Sequence, residues 1–168
     1  MRHTNKRVEK YGGTLVPVPG LDERGLLPVG VHVCTLDEVR AAFCWDDHRS
    51  GLWANLGQFL TVLAAERMVY PICVDGSFTT DKIQPSDIDL VHDLSAASEE
   101  AQIKGILWFA RRREEFKKRF NVDYCPNLPH NCDFQAFFQY VGTKTGHAKN
   151  LDHKALRGLL RVNEWRAG

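Results

Sequence analysis

Asp75-Gly76-Ser77-Phe78-Thr79-Thr80-Asp81-Lys82-Ile83-Gln84-Pro85-Ser86-Asp87-Ile88-Asp89-Leu90-Val91 is a polar, turn-rich loop held between two apolar runs. Upstream, Met68-Val69-Tyr70-Pro71-Ile72-Cys73-Val74-Asp75 predicts a buried strand, with Pro71 placing it near an edge or a bulge, since proline cannot donate to a ladder. Downstream, Asp87-Ile88-Asp89-Leu90-Val91 predicts a second strand of alternating character. Residues two apart on a strand point to the same side, so Asp87 and Asp89 converge while Ile88 and Leu90 turn to the core. Paired carboxylates suit a hard divalent ion, because Mg²⁺ takes oxygen ligands and commonly binds through one or two carboxylates plus substrate phosphates. Gly76-Ser77 closes the first strand and can offer backbone N–H groups and a hydroxyl to an anion. The segment thus predicts a site that holds a nucleoside triphosphate at both ends.

Around this centre the elements alternate. Gly12 to Gly30 is dense in proline and glycine, which excludes a helix and predicts extended, edge-like backbone within an N-terminal extension of about residues 1–34. Thr35 caps a short helix running to about Cys44. Leu52, Leu56, Phe59, Leu60 and Leu63 recur at helical spacing and predict a second helix over 47–67. Ser98 with Glu99 and Glu100 opens a long helix to about Phe120, in which Ile103, Ile106, Leu107, Ala110 and Phe116 mark the buried stripe. Asn121 to Cys125 predicts a third strand stopped by Pro126. Asp133 to Val141 reads as a short helix, Gly142-Thr143-Lys144-Thr145-Gly146 as a loop, and Leu156 to Trp165 as a strand or a helix that closes the fold. Strand, long helix and strand in succession predict an α/β or α+β domain, a small mixed sheet flanked by helices, over residues 1–168.

Composition sets bounds. A hydrophobic fraction of 43%, a charged fraction of 26% and a formal net charge of +1 are those of an ordinary globular chain and give no global field for non-specific nucleic-acid binding. The basic N-terminus lacks the apolar run of a signal peptide, and no stretch has the length of a membrane span. Five cysteines without a CxxC pair fit reduced thiols, and a cytoplasmic location is expected. Cys125, His130 and Cys132 lie close together, but their spacing fits no common zinc motif.

Gly76-Ser77, nine intervening residues and Asp87-Ile88-Asp89 together resemble the signature of polymerase-β-type nucleotidyltransferases. Gly25-Leu26-Leu27-Pro28-Val29-Gly30, Asp75 to Lys82, and Phe137-Phe138-Gln139-Tyr140-Val141-Gly142 further resemble small, uncharacterised bacterial nucleotidyltransferase-like proteins. The resemblance implies a nucleotidyltransferase-type sheet in which Gly76 and Ser77 hold the triphosphate. Asp87 and Asp89 would bind two divalent ions, Mg²⁺ or Mn²⁺, and a third carboxylate on a later strand would complete the site. Asp123 matches that third position by order and setting, with Asp133 in reserve. One departure is the sequence Phe78-Thr79-Thr80-Asp81-Lys82, where many small members of the superfamily carry a further glycine.

The implied chemistry is transfer of a nucleoside monophosphate from a nucleoside triphosphate to a hydroxyl acceptor in RNA, protein or a small molecule. Lys82, in the motif loop, and Lys144, in its Thr/Gly loop, are candidate triphosphate contacts. The basic run Arg111 to Arg119 is either a solvated helix face or a contact for an RNA acceptor. The competing expectation is a catalytically silent member of the same fold that regulates a partner protein, as in a toxin–antitoxin or phage-defence pair.

Overall fold

The computed structural model describes residues 18–128, 130 and 132–166. Expectations for Gly12 to Pro17 lie outside them. The elements are β1 (Gly30–Val33), α1 (Leu36–Phe43), α2 (Asp47–Ala65), β2 (Ile72–Asp75), a 3₁₀ turn (Gly76–Thr79), β3 (Ile88–Asp93), α3 (Glu99–Phe120), β4 (Val122–Asn127), α4 (Phe134–Phe137), α5 (Gly142–Lys149) and β5 (Gly158–Val162). The chain is a mixed α/β protein whose five strands form one open sheet in the order β1-β5-β2-β3-β4. β1 is parallel to β5 and β3 to β4, whereas β2 runs antiparallel to both β3 and β5.

Local chemistry explains the helix boundaries. Thr35 and Glu38 form a reciprocal capping box at the start of α1. The Asp46 carboxylate accepts from the Arg49 N–H at 2.8 Å to cap α2. Ser98 caps α3, and Asn121 closes it with φ 53°, a left-handed turn that asparagine tolerates. Acidic Glu99 and Glu100 stand in the first turn of α3 and Lys117, Lys118 and Arg119 in the last, matching the helix dipole.

The strands alternate between two faces. Ile72, Val74, Ile88, Leu90, Val122, Tyr124, Leu160 and Val162 join the main core with Leu56, Phe59 and Leu63 of α2 and Trp108, Phe116 and Phe120 of α3. Cys73, Val91 and Leu159 face the other way, under Phe134 and Phe138. Asp75, Asp89 and Asp123 share this second face by alternation.

Several boundaries differ from expectation. Ile103, Ile106 and Leu107 are exposed (50%, 44% and 41%), as is Ala110, so of the expected stripe only Phe116 is buried. The face that packs runs through Ala101, Gly105, Trp108, Phe116 and Phe120. The reason is close approach: a methyl group on Gly105 would sit 2.3 Å from Leu94 Cδ1 and 3.3 Å from the Tyr124 hydroxyl. β4 continues through Pro126, which an outer strand accommodates because one side of its backbone has no ladder to feed. The expected 142–146 loop is the start of α5. The closing segment is a strand, and β1, inside the expected N-terminal extension, pairs with it. Among the described residues no helix is long and apolar enough to cross a membrane.

Candidate metal and nucleotide site

Strand register assembles the acidic centre. Asp89 of β3 stands opposite Asp75 of β2 on one side and opposite Asp123 of β4 on the other, which makes a row of three aspartates across adjacent strands. Asp87 immediately precedes β3. Ile88 and Leu90 point into the core, as the alternation required.

Gly76 lies directly against Asp89. Its φ of +78° is a left-handed conformation, and a methyl group there would fall 1.6 Å from Asp89 Oδ2. Both the turn and the carboxylate therefore demand glycine. Asp75 is fully buried, accepts from the Gly76 N–H at 2.7 Å, and pairs with Arg157 at 2.8 Å. Burial pushes its carboxyl up to about 6, although Arg157, the Gly76 N–H and Thr79 oppose the rise. Arg157 also donates to the Gly76 carbonyl at 3.2 Å and to Thr79 Oγ1 at 2.8 Å. The buried Arg49 guanidinium donates to the carbonyls of Phe43, Phe78, Thr80 and Lys82 at 2.5 to 3.3 Å. It stacks on Trp45 at 3.7 Å. Two arginines thus pin residues 76–82. Neither is evident in the sequence, where Arg49 is one charged residue among Asp46, Asp47 and His48 near a helix start and Arg157 one basic residue in a tail that also holds Lys154 and Arg161.

The carboxylates have unequal partners. Asp123 takes a bidentate pair from Arg113, Nε at 2.5 Å and Nη2 at 3.0 Å. Lys117 Nζ bridges Asp87 at 2.9 Å and Asp123 at 3.1 Å. Burial raises the Asp123 carboxyl, but Arg113 and Lys117 outweigh it and hold it below the usual carboxylate value. Among the described residues, no hydrogen-bond or ion-pair partner reaches the Asp89 carboxylate. Burial, then Asp87, Asp123 and Asp75, push it up to about 7 against the opposing pull of Lys117.

These donors fit a hard divalent ion in kind: they are carboxylate oxygens, and Asp89 is a partly buried acid with no direct ion-pair partner. Oδ2 of Asp75, in the same row, is a buried atom with no hydrogen-bond partner. Among the described residues, however, no group of three His, Cys, Asp or Glu stands close enough to hold a metal as placed. Lys117 and Arg113 are the cations that contact Asp87 and Asp123 instead.

The other expected residues are dispersed. Ser77 sits in the 3₁₀ turn, where its carbonyl accepts from the Thr80 N–H and hydroxyl. The Lys82 side chain is exposed on the same loop. Lys144 is exposed on α5, and the contact tying α5 to the loop is made by Lys149, whose ammonium meets Asp81 at 2.5 Å. Asp133 caps α4 through the Ala136 N–H at 2.8 Å. It lines a separate polar cavity of about 610 Å³ with Asp93, Ser95, Asn127 and Gln135, while Asp123 holds the place in the row. Cys125 is buried and Cys132 exposed.

The fold and site define a mixed α/β protein with an acidic row mounted on three strands beside an arginine-pinned turn. The chain belongs to a family of unknown function, DUF6932, whose model matches residues 19–163 and so spans the whole sheet and the site. Comparison with curated proteins and with solved structures gives no match.

Proposed function

We propose that this chain is a metal-dependent nucleotidyltransferase that moves a nucleoside monophosphate from a nucleoside triphosphate to a hydroxyl acceptor in RNA, protein or a small molecule. The observation that carries the reading is Asp89, a partly buried carboxyl with no direct ion-pair partner, registered beside Asp123 and seated on Gly76. Asp87, Asp89 and Asp123 are the residues that would hold Mg²⁺ or Mn²⁺, and the ion would supply charge neutralisation at the reacting phosphate and the leaving pyrophosphate. Gly76 and Ser77, fixed by Arg157 and Arg49, orient the triphosphate against that centre. Lys82 stands on the same loop as a further phosphate contact. The buried row and Gly76 crowd the Asp89 side chain into one place, which is the positioning that phosphoryl-transfer chemistry depends on.

The test incubates the protein with each labelled nucleoside triphosphate, Mg²⁺ or Mn²⁺ and cell extract, beside an Asp87→Ala/Asp89→Ala control. Metal-dependent label transfer that disappears in the control supports the reading. Absence of transfer with every nucleotide, in a protein shown to be folded, overturns it. One observation favours a second reading, a silent regulatory partner of another protein: Lys117 and Arg113 already neutralise Asp87 and Asp123 from within. Tight partner binding that survives the double substitution, without transfer, selects that reading.

A further inference from the structure

We infer that the outer face of α3 is a contact surface for a second copy of this chain, the two helices packing antiparallel about a two-fold axis. Ile103, Ile106, Leu107 and Ala110 recur at i, i+3, i+4 and i+7 and so form one continuous stripe along the helix. Such a stripe ordinarily faces a core. Here it lies opposite the packed residues Ala101, Gly105, Trp108 and Phe116, and its three large side chains are exposed at 50%, 44% and 41%. Apolar residues scattered singly over a surface need no explanation, whereas a row of them on an otherwise charged helix marks a place of contact. The stripe contributes no side chain to the acidic row, and the pairing requires nothing of the chemistry there.

The charges that flank the stripe select its occupant. Glu100 precedes Ile103 by one helical turn and Arg111 follows Leu107 by another, so they mark its two ends. The interval between them is about three full turns, which puts both on the same flank of the stripe. Both are exposed, and among the described residues neither has an ion-pair partner. A two-fold axis midway between them sets Glu100 of each copy beside Arg111 of the other, with Ile103, Ile106 and Leu107 of both copies enclosed between the two pairs. Parallel packing would instead bring the acidic first turns, Glu99 and Glu100, against each other. The patch is smaller than the roughly 20 to 30 residues a side of a standard interface, so the dimer is a reversible one, half-dissociated at about 10 to 100 µM.

The experiment follows the full chain by sedimentation velocity at low salt, from about 1 to about 300 µM. The average mass should rise from that of one chain, 19.1 kDa, towards twice that value. Ile103→Gln/Ile106→Gln should weaken the association at least about tenfold, while circular dichroism and denaturation at about 1 µM, where the copies stand apart, stay those of the unaltered chain. Glu100→Arg and Arg111→Glu each set like charges together and should each weaken it about fivefold. Combining the two in one chain re-creates opposite pairs and should restore the affinity. The mass of one chain throughout the range, an association unmoved by Ile103→Gln/Ile106→Gln, or charge substitutions whose combination restores nothing refutes the pairing. Capture of a different protein by a chain that stays monomeric, lost in Ile103→Gln/Ile106→Gln, assigns the stripe to that partner and refutes it as well.

Discussion

Replacing Asp89 by asparagine should make the metal-free protein more stable at neutral pH, although it removes the central group of the site. In the fold the Asp89 carboxyl ionises near 7, because burial and three neighbouring aspartates disfavour its charge, whereas an ordinary aspartate ionises near 3.8. Between those values the unfolded chain has released a proton that the folded chain still holds. Stability from this group is therefore full below about pH 4, falls as pH rises towards 7, and is flat above. Each tenfold change in proton affinity is about 1.4 kcal/mol, so the loss at pH 7.5 is up to about 4 kcal/mol. Water reaching the partly exposed carboxylate reduces the expected effect to about 1 to 3 kcal/mol. Asparagine has the same shape and no charge to bury, so it relieves this cost without filling the space beside Gly76. For a chain of this size, thermal denaturation of the substituted protein without metal at pH 7.5 should rise by about 3 to 10 °C. The difference should shrink towards pH 4. On the proposed metal-site reading, adding Mg²⁺ should stabilise the unaltered protein and leave Asp89→Asn unchanged. An unchanged or lowered melting temperature at pH 7.5, or a gain that does not diminish with acid, would refute the reasoning.

Other substitutions test separate parts of the structure. Gly76→Ala forces a methyl group into Asp89 at a left-handed backbone position, and chemical denaturation should show a loss of at least about 2 kcal/mol. Arg157→Met leaves Asp75 buried without its counter-charge and should cost about 3 to 5 kcal/mol at neutral pH. Because that acid is already raised to about 6, denaturation of the variant at pH 5 should recover part of the loss through protonation of Asp75. On α3, Ile103→Gln and Ile106→Gln should shift stability by less than about 0.5 kcal/mol, whereas Trp108→Ala should cost about 3 to 5 kcal/mol by the same measurement.

Strand-mounted acids were the most legible part of the site. Period-two alternation placed Ile88 and Leu90 in the core and Asp89 on the opposite face, and the order of segments pointed to Asp123, which the register sets beside Asp89. Ser98 likewise marked the start of α3 because its side-chain chemistry is local. What failed to show in the sequence depends on contacts between distant segments. Gly105 decides which face of α3 packs, since a helix lying that close to Leu94 and Tyr124 cannot put an isoleucine there, and aliphatic spacing carries no record of the distance. The engagement of Asp87 and Asp123 by Lys117 and Arg113 joins a helix to residues distant in the chain, so the run Arg111 to Arg119 reads only as a solvated helix face or an RNA contact. α5 opens with Gly-Thr-Lys-Thr-Gly, in which both glycines and both threonines have low helical preference, so its first turn depends on its surroundings.

The two arginines that grip residues 76–82 also bear on how an anion would bind there. Fixing a backbone residue costs roughly 1 to 2 kcal/mol of conformational entropy. In a slack loop that cost falls at the moment of ligand capture and lowers affinity, whereas here the carbonyls of Gly76, Phe78, Thr80 and Lys82 are already tethered when the chain folds. Docking to this turn should therefore resemble a key entering a rigid lock, with a small entropic penalty in calorimetry and an association rate set by encounter instead of by loop closure.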